Sequence, residues 1–147
     1  MISVIVIAHR GYSAKAPENT MAAFELALAA GTDGIELDVH LTGDGEIVVI
    51  HDDTVNRTTD GKGPVGAFTL AELQALDAGS WFAPEFAGEK IPTLKKVLEL
   101  LKDKDVLLNI EVKTGLGFEQ LNEQLVQLLD RYDFWERTII SSFNHYA

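Results

Sequence analysis

The sequence predicts an α/β fold of the parallel-barrel type, and three observations predict it. Short runs rich in Ile, Val and Leu alternate with stretches of helical periodicity, the pattern of parallel strands joined by crossover helices. Four of these runs end in ionisable groups: Ala8-His9-Arg10-Gly11, Ile35-Glu36-Leu37-Asp38-Val39, His51-Asp52 and Asn109-Ile110-Glu111-Val112-Lys113. Packing alone does not ask for charges at four strand ends, whereas strand ends converge on one site at the mouth of a parallel barrel. Third, 147 residues, 46% of them hydrophobic, suffice for one compact core.

Residues 2–8 read as a buried strand because they are short, apolar and rich in Ile and Val. Pro17-Glu18-Asn19-Thr20 is turn and cap chemistry, with Asn19 readable as a helix N-cap. A helix over 21–30 follows, closed by Gly31. Strands at 34–39 and 46–50 flank the tight turn Thr42-Gly43-Asp44-Gly45. From about 52 to 92 Gly and Pro break the rhythm, and one short helix opens on the capping box Thr69-Leu70-Ala71-Glu72. This segment reads as an insertion over the barrel mouth, with Trp81, Phe82 and Phe86 as the groups it buries. Residues 93–104 form an amphipathic helix, with Leu94, Val97, Leu98 and Leu101 on one face. A strand at 106–112, a helix at 118–132 and a strand at 137–142 complete the order, all within a single domain over 1–147. A parallel barrel needs about 250 residues and eight strands. About five are supplied here, so a missing C-terminal segment or another copy of the chain is expected to cover the open edge.

The chain contains no cysteine, which excludes disulfides and thiolate metal sites. No stretch approaches the roughly 20 apolar residues of a membrane helix, and the apolar start lacks the basic flank of a signal peptide. A cytoplasmic protein without stable membrane association is expected. The net charge of -11 disfavours nucleic acid and anionic membranes as partners. It leaves room for an anionic small molecule, because a bound divalent cation inverts the field inside a site.

Residues two apart on a strand share a face, so Glu36 lies beside Asp38 and Glu111 beside Lys113. Taken singly, each carboxylate reads as solvated or salt-bridged. Taken together, three converging acids repel one another unless a cation sits among them, and oxygen-only ligation suits Mg²⁺ or Ca²⁺. His9 and His51 are the candidate acid/base pair, since imidazole titrates near neutrality. A lone strand-end histidine is more often bonded to backbone, and His40 and His145 are assigned that reading. Arg10 and Lys113 are the candidate phosphate partners, the first as a fork and the second as a point charge. Glu18 and Asn19 lie on the loop after the first strand, on the same face.

At these residues the chain resembles the glycerophosphodiester phosphodiesterase family. The resemblance rests on Ala-His-Arg-Gly at 8–11, Pro-Glu-Asn-Thr at 17–20, Gly-Ile-Glu-Leu-Asp-Val at 34–39 and Thr-Gly-Asp-Gly at 42–45. It continues through His-Asp at 51–52, Arg-Thr-Thr-Asp-Gly-Lys-Gly at 57–63, Ile-Pro-Thr-Leu at 91–94 and Ile-Glu-Val-Lys at 110–113. It implies a TIM (β/α)8 barrel, here about its first five strands with a small insertion after strand 3. It implies a divalent cation, Mg²⁺ or Ca²⁺, on Glu36, Asp38 and Glu111, an acid/base pair of His9 and His51, and substrate contacts from Arg10 and Lys113. The implied reaction is hydrolysis of a glycerophosphodiester, such as glycerophosphocholine or glycerophosphoethanolamine, to glycerol 3-phosphate and an alcohol. Two rivals carry different predictions. A lysophospholipase D-like enzyme would cleave an acylated substrate, and a non-catalytic cation- and phosphate-binding or assembly module would release no product.

Overall fold

A computed structural model describes residues 3–113, 115 and 117–143; His145 and the first residue of the strand expected at 2–8 fall outside them. The chain folds in the order β1 (Ile7–His9), α1 (Met21–Ala29), β2 (Gly34–Leu41), β3 (Ile47–Val49), α2 (Leu70–Ala75), α3 (Leu94–Leu101), β4 (Leu107–Val112), α4 (Phe118–Arg131) and β5 (Thr138–Ser141). Four strands run parallel in the order β1-β2-β4-β5. β3 stands off this path, antiparallel to the C-terminal tip of β2 through Val39, His40 and Leu41. That pairing carries β2 two residues past its expected end. The connecting turn is fixed by Thr42, whose hydroxyl accepts from the Glu46 amide at 2.9 Å, and by Gly45 at φ +85°.

Alternation along β2 and β4 sorts the core from the site. Ile35, Leu37, Val39, Leu108, Ile110 and Val112 are buried in one cluster with Phe24, Leu94, Val97, Leu98, Leu101, Leu121, Leu125 and Leu129 from the helices. The helices therefore cover this face of the sheet, which is why the matching stripes of α3 and α4 read clearly in the sequence. The intervening residues Glu36, Asp38, Asn109 and Glu111 take the opposite face, the inner face of a parallel barrel.

Three local expectations are corrected. β1 is shorter than 2–8: its pairing with β2 starts at Ile7 opposite Gly34, no strand among the described residues pairs with the residues before it, and Val4 is 76% exposed. The N-cap of α1 is Thr20 rather than Asn19, its hydroxyl accepting from the Ala23 amide at 3.3 Å. The segment after β3 has its own core, but an aliphatic one of Val48, Ile50, Val55, Val65, Leu73, Ala78 and Ile91. Trp81 is exposed, Phe82 and Phe86 are half-buried, and the three stack edge-on at the surface.

Candidate active site

The site begins with a strained turn. After β1 the backbone of Arg10 takes φ +58° and Gly11 φ +79°, and Asn19 at the far end of the loop takes φ +57°. Asn tolerates this left-handed region; Arg does not, and holds it only where the surroundings impose it. Here the Arg10 amide donates both to the Glu36 carbonyl and to Glu36 Oε2, each at 3.0 Å, and the Arg10 carbonyl accepts from the Asn19 amide at 3.0 Å. Gly11 has no alternative residue: a Cβ there would stand 2.8 Å from both the backbone carbon and the Cβ of Ala23. Gly11→Ala is expected to lower stability by more than about 1 kcal/mol and to displace Arg10, measured as a lower urea midpoint.

β1 and β2 are in register so that His9 faces Glu36, and the His9 Nε2 lies 3.7 Å from Glu36 Oε2. β2 and β4 are in register so that Asp38 faces Glu111. Three of the four expected strand ends thus meet directly. Glu36, Asp38 and Glu111 each present an oxygen, all within 4.8 Å of one another. A hard ion holding oxygens at about 2.0–2.6 Å spaces its ligands by no more than about 5 Å, so this oxygen-only set fits Mg²⁺ or Ca²⁺. Glu36 Oε1 is buried without a hydrogen-bond partner, and Asp38 Oδ1 has only the Lys113 ammonium beside it, so the buried acceptors still offer lone pairs to a cation.

The electrostatics agree. Burial, then the neighbouring Asp38 charge, pushes the Glu36 carboxyl up to about 7. Lys113 places its Nζ 3.1 Å from Asp38 Oδ1 and donates to Glu111 Oε1. Burial works against its charge, but the Glu111 hydrogen bond and Asp38 outweigh that and raise its pKa. Arg10 is packed among acids as well, with Nη1 3.2 Å from Glu18 Oε1 and Nε 3.5 Å from Asp38 Oδ2. Asn19 donates to Asp38 Oδ2 at 2.9 Å, so its side chain braces a site carboxylate instead of capping a helix.

His51 follows β3 and is held by its neighbour, with Nδ1 2.7 Å from Asp52 Oδ1. Asp52 also receives Arg57, from Nε to Oδ2 and from Nη2 to Oδ1, each at 2.9 Å. Arg57 Nη2 bonds Glu18 Oε1 as well, at 2.6 Å. A continuous chain of charged groups therefore runs from His51 through Asp52, Arg57, Glu18 and Arg10 to Asp38. Sequence reasoning did not assign Arg57 to the site, because the loop that returns it to Glu18 spans 39 positions of sequence. His40, placed on β2, points its Nε2 at the His51 carbonyl at 3.0 Å, and burial lowers its pKa.

The sequence and the fold have counterparts in known proteins. Residues 9–147 match the Glycerophosphoryl diester phosphodiesterase family. A glycerophosphodiester phosphodiesterase of Caldanaerobacter subterraneus subsp. tengcongensis is 56% identical over 99% of this chain, which spans 60% of that protein. The solved glycerophosphodiester phosphodiesterase of Agrobacterium tumefaciens superposes over 98% of this chain and 60% of its own, with a TM-score of 0.90 at 39% identity. A phosphodiesterase of Oleispira antarctica, solved with the product sn-glycerol-3-phosphate, does so over 98% and 59%, with a TM-score of 0.90 at 43% identity. The sheet is accordingly part of the TIM-barrel architecture of these proteins, and no helix among the described residues is long and apolar enough to cross a membrane. The chain spans about three-fifths of the length of such relatives and belongs to the glycerophosphoryl diester phosphodiesterase family.

Proposed function

We propose that this site hydrolyses glycerophosphodiesters to glycerol 3-phosphate and an alcohol, with a divalent cation, Mg²⁺ or Ca²⁺, on Glu36, Asp38 and Glu111. The observation that carries the reading is the meeting of these three acids with His9, Arg10 and Lys113 on one face of the sheet. The family and the product-bound relative support the same reaction.

When bound, the cation supplies Lewis acidity and charge neutralisation at the phosphate. Arg10 and Lys113 bind the non-bridging phosphate oxygens and stabilise the charge that grows on them. One of His9 and His51 takes the proton from the attacking oxygen, which is the glycerol 2-hydroxyl or a water. The other donates a proton to the departing alcohol oxygen as its bond to phosphorus breaks. Attack by the 2-hydroxyl gives a cyclic phosphate that water then opens, with the two imidazoles exchanging duties.

Incubation with glycerophosphocholine and, separately, with lysophosphatidylcholine tests the substrate class. Glycerol 3-phosphate is expected from the first at a rate far above any release of lysophosphatidic acid from the second. The reverse order would establish the lysophospholipase D-like rival. Cation and phosphate binding without product from either would establish a binding module.

A further inference from the structure

We infer that Asp52 and Arg57 are positioning residues that fix the ring of His51 in one tautomer and tie it to the Arg10 side of the site. The inference rests on the proposed role of His51 in proton transfer.

Asp52, ionised, can only accept, so its bond to Nδ1 requires the proton on that nitrogen. The neutral ring then keeps Nε2 free as an acceptor, which is the form a general base needs. Asp52 is adjacent to His51 on an irregular segment and does not by itself fix the direction of its own carboxylate. Arg57 does that: its planar fork grips both Asp52 oxygens at 2.9 Å, a two-point contact that sets the plane as well as the position. The guanidinium hydrogen bonds push the Asp52 carboxyl well below its usual range, so the acceptor stays ionised.

The same guanidinium reaches Glu18 at 2.6 Å, and Glu18 in turn holds Arg10 at 3.2 Å. Arg57 thereby joins the strand-end groups of β1 and β3, which no backbone pairing joins. With its fork engaged by two carboxylates, Arg57 is poorly disposed to bind phosphate. Among the described residues, Asp52 bonds the His51 ring, Arg57 bonds Asp52, and His40 points its Nε2 at the His51 carbonyl. Glu18 lies one step further out.

The test is nitrogen NMR of the histidine-labelled 147-residue chain, alongside steady-state kinetics on glycerophosphocholine. In the unaltered chain neutral His51 is expected as the Nδ1–H form alone. Asp52→Asn presents an amide that can donate and is expected to turn the ring toward the Nε2–H form. Arg57→Met is expected to give a mixture of tautomers and to lower kcat by about 100-fold, the scale set by small misplacements of a reacting group, with KM nearly unchanged. Arg57→Lys keeps charge but not the fork and should recover only part of both effects; amide spectra that overlay those of the unaltered chain show that each variant is folded. An unchanged single tautomer in Arg57→Met overturns the inference. So does a raised KM with unaltered kcat, which would make Arg57 a substrate ligand. Because the tautomer is read without turnover, a chain with the expected tautomers but no activity would contradict the proposed reaction and leave the positioning role standing.

Discussion

His51→Ala is expected to reduce glycerol 3-phosphate release by about 100- to 10,000-fold while leaving cation affinity within a small factor of its original value. The range is that of a lost general acid or base. The separation of the two effects follows from position. His51 lies beyond β3 and bonds Asp52, whereas the three carboxylates come from β2 and β4. His9→Ala should act similarly on rate, with one difference: its Nε2 is 3.7 Å from Glu36, so it will also alter the charge beside a proposed ligand. Calorimetric cation titration of each variant, set against its rate, separates proton transfer from ion binding. A rate unchanged in His51→Ala would remove that residue from the mechanism.

Glu36 carries the second large effect. Its carboxyl is raised to about 7 by burial and by Asp38. Between the ordinary carboxyl range and about 7 the folded chain therefore holds a proton that the unfolded chain has released. Stability of the cation-free chain falls as pH rises through this window, by about 3 kcal/mol in total, and the full penalty stands above it. Glu36→Gln removes that slope, so urea midpoints of the two proteins should converge at low pH and separate toward neutrality, with the variant the more stable. A cation and a proton compete for the same oxygen, so cation affinity should climb as pH rises toward about 7 and then level off. Glu36→Gln should weaken the cation by at least about 100-fold, the upper end for losing even an outer partner of a ligand. Greater stability bought with lost ion binding is the signature expected of a functional carboxylate. A variant that bound the cation equally well would show that Glu36 is merely a buried acid.

Much of the fold and of the candidate site is legible in the sequence, for a definite reason. The residues of the proposed chemistry sit at strand ends, and period-two alternation places Glu36 beside Asp38 and opposite the apolar residues of β2. Helices α3 and α4 read well because one stripe of each packs against that apolar face. What escaped depended on partners distant in sequence. The true length of β1 is set by where its pairing with β2 starts, and the extension of β2 by its hairpin with β3. Asn19 reads as a cap because cap residues and site residues share the same short polar chemistry; only the Asp38 contact decides between them. The aromatic run at Trp81 suggested a core, yet β3 and the aliphatic residues after it already fill one. Arg57 opens one of the segments that carry the resemblance, but its role is not legible there, since an exposed arginine in a loop acquires a role only when Asp52 and Glu18 are brought to it.

We propose one cation-dependent diester hydrolase site formed by the carboxylates and the two histidines. Its most direct test is glycerol 3-phosphate release from glycerophosphocholine by the 147-residue chain, in Mg²⁺ or Ca²⁺ and in excess chelator, with His51→Ala alongside. Release that requires the cation, stops with chelator and is lost in a variant that still binds the ion is the predicted result. Release indifferent to chelator, or undiminished in His51→Ala, would contradict it.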